Sequence, residues 1–225
     1  MGFSSESLIS LKVSLKSVDT LIAYAQEDKG DEFDNTRKLF LKLSIVLIVT
    51  RLQVFVEGVL KEFGQYLFDC SLNYSNLSVF AKLTSMRILL SELSLDKKLQ
   101  NPESYNEARY MEIKGALDHL QSHFESEVKG RNLNFKGLFP LGKTGSGELI
   151  ELFKQFEGIN IFDNTEIDIE VLNSLLLTRH LIIHHDISKE LTEKVVCDYR
   201  EYIEKLSDFI ENYLEGIVSV VGVRT

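Results

Sequence analysis

A chain of 225 residues that is 44% apolar is long enough to bury one hydrophobic core. Its net charge of −9 argues against a protein that coats nucleic acid by neutralising phosphates, although a locally basic cleft could still grip a few nucleotides. Only two prolines, Pro102 and Pro140, interrupt it, which points to an all-α fold.

In chain order, Leu8, Leu11, Leu15, Val18, Leu21 and Ile22 recur at helical spacing and predict a helix over 5–26. An acidic turn follows, and then a run over 34–68 in which Phe40, Leu43, Leu47, Leu52, Phe55, Val59 and Phe63 keep the 3.6-residue period. Asp34 or Asn35 is placed to cap it. Lys42 and Ser44 break its most apolar part, so it reads as a core helix rather than a membrane span. At more than 30 residues it is a natural spine for a helical bundle. Further helices are expected over 76–93 and over 102–128, the latter opened by Asn101-Pro102. The glycine-rich stretch 129–147 reads as a loop carrying Lys129, Arg131, Lys136 and Lys143 and no acid. A short helix over 146–156 is stopped at Gly158, and another over about 166–185 begins near Thr165 or Asp168. The last helix is expected over 188–218. With no internal repeat and no convincing strand, one domain over 1–225 is the simpler reading.

Chemistry concentrates in Thr178-Arg179-His180-Leu181-Ile182-Ile183-His184-His185-Asp186, where an arginine and three of the five histidines lie on a segment with apolar flanks. An imidazole can exchange a proton near neutral pH, and a guanidinium fits phosphate oxygens. RNA strand cleavage without a metal needs that pair: a proton-transfer group and a cation for charge developing at phosphorus. On an ideal helix Arg179 and His184 stand about 140° apart, so one helix does not bring both to one atom. A second copy across a two-fold axis would, whereas His180 and His184 already share a face. Against this stands a structural Arg with exposed histidines at a helix end.

Other patterns carry less. Gly137-Leu138-Phe139-Pro140-Leu141-Gly142-Lys143-Thr144 has the letters of a P-loop, but no strand pattern precedes it. A surface loop touching RNA through its four cations, Phe135 and Phe139 is an alternative use. His180, His184 and His185 lack the Glu of a His-Glu-x-x-His zinc site, so no metal or cofactor is expected. His119 and His123 read as solvated. Cys70 and Cys197 give no disulfide framework, and residues 1–6 lack the character of a secretory signal; a reduced, cytoplasmic setting is expected.

The Arg179–His184 stretch, with polar His180 after the arginine, resembles the R-x-x-x-x-H motif of the HEPN superfamily of all-α proteins. The run 149–159 before it and Arg51 to Leu60 in the long helix resemble the RiboL-PSP-like branch, as does the long terminal helix; the likeness covers roughly 35–218. The resemblance implies a metal-independent endoribonuclease acting as a homodimer with a composite site. His184 would transfer the proton as a ribose 2′-hydroxyl attacks its phosphate, Arg179 would stabilise the transition state, and His180 would assist. The products would be a 2′,3′-cyclic phosphate and a 5′-hydroxyl. Glu57 and His185 are candidate supports, Glu57 having a packing or ion-pair role as its alternative. The setting implied is defence or a toxin–antitoxin pair with a partner protein. The alternative is a non-catalytic interaction or regulatory module of the same fold.

Overall fold

The computed structural model describes residues 3–27, 34–69, 71–72, 77–78, 81–82, 114, 128–129, 139, 146–163, 165–186 and 191–221. These form helices α1 (Glu6–Glu27), α2 (Asp34–Asp69), α3 (Gly147–Glu157), α4 (Ile169–His185) and α5 (Glu193–Val221). Strands β1 (Ser71–Leu72) and β2 (Val128–Lys129) pair antiparallel, with Ser71 opposite Lys129 and Leu72 opposite Val128. The all-α expectation holds, and the helical ranges agree with the sequence periodicity to within a few residues, the latest start being that of α5. The pairing of β1 with β2 was not expected, because two residues are too few to show the alternation that marks a strand. The helices expected over 76–93 and 102–128, and most of the 129–147 loop, lie outside the described residues.

By length and composition Asn35–Leu67 is long and apolar enough to cross a bilayer. Its inner side instead forms the centre of the core. Ile45, Ile48, Val49, Leu52, Val56, Val59 and Phe63 are fully enclosed, one or two per turn. Around this spine α1 and α5 pack with their own periodic faces: Leu15 and Val18 from the first, Val196, Ile203, Leu206, Ile210 and Leu214 from the second. Aromatic edges lock one end of the bundle. Phe63 meets Phe3 at 5.3 Å and Phe156 at 5.4 Å, both T-shaped, and Phe153 meets Tyr213 at 5.9 Å.

Polar contacts fix the helix directions. Arg37 near the start of α2 pairs with Glu193 at the start of α5, so these helices run side by side in the same sense. Lys12 pairs with Asp208 at 2.6 Å, and Arg200 pairs with Asp19 at 3.0 Å, which sets α1 antiparallel to α5. The first turn of α1 is satisfied from a distance. Ser5 caps it by accepting from the Leu8 N–H at 3.1 Å. Glu211 of α5 accepts from the Ser5 N–H at 2.7 Å and from its hydroxyl at 2.5 Å. Glu62 of α2 accepts from the N–H groups of Glu6 and Ser7 and from the Ser7 hydroxyl. Negative charge at a helix N-terminus is favourable, and these carboxylates also tie α1 to both neighbours. Gly58 makes the approach feasible: a Cβ there would stand 2.2 Å from Ser7 Oγ.

Candidate active site

Local sequence sets both ends of α4. Asp168, extended at φ −77° and ψ 107°, accepts the Glu170 N–H at 2.9 Å and caps the start. The other end closes on Asp186, whose left-handed φ of 53° lets its N–H donate to the Leu181 carbonyl. Aspartate tolerates that conformation better than most residues. Lys42 of α2 holds the same end, its Nζ 2.7 Å from Asp186 Oδ1 and 3.3 Å from the Asp186 carbonyl oxygen. A lysine inside an otherwise apolar run was the sequence signal for this tie, and its meaning shows only once α4 lies alongside α2. Upstream, Asn173 Oδ1 accepts the Ser146 N–H at 2.8 Å and fixes the start of α3 to α4. Ser146 itself makes no side-chain cap, while Gly158, at φ 78°, ends α3 by donating to the Lys154 carbonyl.

Leu172, Leu175, Leu176 and Ile182 form the inner stripe of α4 against the core. Arg179 falls on that stripe, one turn from Leu175 and from Ile182, and is half-buried. His184 and His185 are exposed, and His180 is intermediate. The imidazoles cluster: the His180 ring lies 4.6 Å from that of His184 and 5.9 Å from that of His185. The His180 pKa is held below its ordinary 6.5, first by loss of hydration and then by repulsion from His184, His185 and Arg179. His180 is therefore neutral at pH 7, able to accept a proton or a hydrogen bond. Leu177, 50% exposed, shares the outer side of the helix with the imidazoles, whereas Ile183, 44% exposed, stands one turn beyond Arg179 near the helix end.

No contact with the α4 imidazoles is described for the other sequence candidates. Glu57, partly buried on α2, accepts from Gln53 Nε2 at 2.9 Å and from the Phe139 N–H at 3.2 Å, so its described bonds hold the 139 segment against α2. Lys129 belongs to β2, whereas Arg131, Lys136 and Lys143 lie outside the described residues, as does the P-loop-like run apart from Phe139. Among the described residues no three His, Cys, Asp or Glu side chains are grouped so as to hold a metal ion. The Cys197 thiol is pushed up by burial and by Asp198, Glu201, Asp19 and Glu193, which disfavours the nucleophilic thiolate.

A family model, RiboL-PSP-HEPN, matches residues 10–216. No curated protein and no solved structure is significantly similar to the chain.

Proposed function

The chain belongs to the RiboL-PSP-HEPN family, a branch of the HEPN superfamily, and on that premise we propose that it is a metal-independent endoribonuclease whose site is completed by a second copy of α4. The observation that carries this reading is the division of α4 into two sides. Arg179 lies half-buried on the inner stripe, and the imidazoles stand outside with exposed Leu177. A helix apolar around most of its circumference, with one side uncovered, fits a partner on that side. Two such helices meeting about a two-fold axis would supply each phosphate with a guanidinium from one copy and an imidazole from the other.

In this scheme His184 takes the proton of a ribose 2′-hydroxyl as its oxygen attacks the adjacent phosphorus. The P–O5′ bond breaks, and the leaving oxygen takes up a proton. Arg179 stabilises the charge on the non-bridging oxygens. Neutral His180, beside His184, orients it or shares the proton transfer. RNA is then the substrate, and a silencing partner protein in a defence or toxin–antitoxin setting fits such an activity.

The test is cleavage of RNA in EDTA, with detection of 2′,3′-cyclic phosphate ends. Loss of a general acid–base group removes about 10²–10⁴-fold, so His184→Ala should cut the rate by that factor while the protein stays folded and dimeric. A monomer in native mass spectrometry at working concentration, or full activity in His184→Ala, would sink the scheme. The half-burial of Arg179 on the inner stripe favours a second reading, a non-catalytic module whose Arg–His pair shapes an interface. Wild-type protein that dimerises yet leaves RNA intact would decide for it.

A further inference from the structure

On another side of α2, a hollow of about 50 Å³ opens between α1 and α2. Ser7, Ser10 and Ser14 line it from α1, and Arg51, Val54 and Phe55 from α2; none of its lining residues belongs to α4. The serines recur at i, i+3 and i+7 and so stand along one face of α1. Arg51 Nε is buried and has no hydrogen-bond partner among the described residues. A buried donor on a charged group is costly to leave unmet, and most such groups in folded proteins find a partner. No lining residue is acidic, so the wall offers a guanidinium and hydroxyls with no carboxylate to match them.

We propose that this hollow binds a phosphate-type tetrahedral oxyanion, gripped by the Arg51 guanidinium on one side and the Ser10 and Ser14 hydroxyls on the other. The size is right. A single water needs roughly 10–15 Å³ measured this way, so the hollow takes several waters or one such anion. Arginine pairs with phosphate oxygens through two parallel N–H groups; Arg51 lines the hollow while its Nε lies out of reach of a water molecule, so the side chain turns to present that fork. Ser10 is exposed and makes no described hydrogen bond. The Ser14 hydroxyl donates at 2.8 Å to the Leu11 carbonyl, which lies within α1, and turns about χ1 to donate to the anion. Ser7 keeps its bond to Glu62 and lends only its oxygen to the wall. The anion's charge offsets Arg51 in a groove whose lining carries no acid among the described residues. The proposal stands whether or not α4 cleaves RNA.

The experiment follows the Nε–H resonance of Arg51 in the ¹⁵N-labelled full chain, assigned by its disappearance in Arg51→Lys. Inorganic phosphate should shift it saturably, and chloride at equal ionic strength should not. Ser10→Ala combined with Ser14→Ala should weaken the response about 10-fold or more, even if Arg51 variants fold poorly. A 2′-O-methyl RNA oligonucleotide then distinguishes the source. Displacement of phosphate by it assigns the site to a nucleic-acid backbone, and phosphate binding without displacement assigns it to a free ion. Equal responses to phosphate and chloride, no response, or an unchanged response in the serine double variant would overturn the proposal and leave a hydrated groove only.

Discussion

The α1–α2–α5 bundle and helix α4 put the same apolar residue types to different use. In the bundle the inner faces match one another, so that Phe63, Leu15 and Ile203 are sealed, while Ile9, Val13, Leu39 and Val54 stay exposed on the outside. In α4 one stripe is matched, and the exposed apolar residue Leu177 stands beside three imidazoles. The lesson is that hydrophobicity fixes where a helix docks only when its apolar residues lie to one side. A helix apolar all round is under-determined by its own chain and invites a second surface.

Truncation should break the contrast most visibly. Phe63→Ala removes a ring packed against two others and should cost about 3–5 kcal/mol; Leu177→Ala on the open side of α4 should stay within about 0.5 kcal/mol in the protomer. Equal losses in urea unfolding would mean that the two regions are not as different as their burial implies. Next in size is Gly58→Ala. Its Cβ would meet Ser7 Oγ at 2.2 Å, forcing apart a close helix contact and the Glu62 cap behind it. Overpacking of this kind costs about 1–3 kcal/mol, measurable as a lower Tm; a substitution at Gly64, where an added Cβ meets nothing within 4 Å, is the control.

Smaller again is Lys42→Ala. Its partner Asp186 is 88% exposed, and exposed pairs contribute about 0–1 kcal/mol. The change should barely move Tm yet increase hydrogen exchange at the last turn of α4; unchanged exchange there would show that the pair anchors nothing. The finest probe is His180. An NMR titration should place its midpoint below 6.5, and His184→Ala should raise it by removing the nearer repulsion. The sign for stability follows. Well above pH 6.5 the imidazole is neutral in both states and adds no pH dependence. Below it the unfolded chain takes the proton more readily, so His180 makes stability fall as pH drops through the folded-state midpoint. A midpoint above 6.5 would contradict the cluster geometry.

Much of this was legible in the sequence because it is local. The 3.6-residue period marked α1, α2 and α5, Asp168 and Gly158 marked helix ends, and five residues at about 100° each separated Arg179 from His184. What could not be read depends on partners remote in sequence. Nothing near Ser7 announces Glu62, nothing near Lys42 announces Asp186, and Glu57 reads equally well as a site residue or as the acceptor for Phe139. Which side of α4 would face inward was also undecided, since its apolar residues surround it.

The carboxylates at the head of α1 have a consequence for how the polypeptide assembles. Ser5 and Glu211 are 206 positions apart, so α1 leaves a ribosome long before the α5 carboxylate that clasps Ser5 has been made. Closing so large a loop is slow relative to local helix formation. The Ser5 end of α1 is thus sealed late in maturation, and the Ser5 amide should be guarded against deuterium only as long as α5 is docked, whereas those of Glu6 and Ser7 depend on Glu62 of α2.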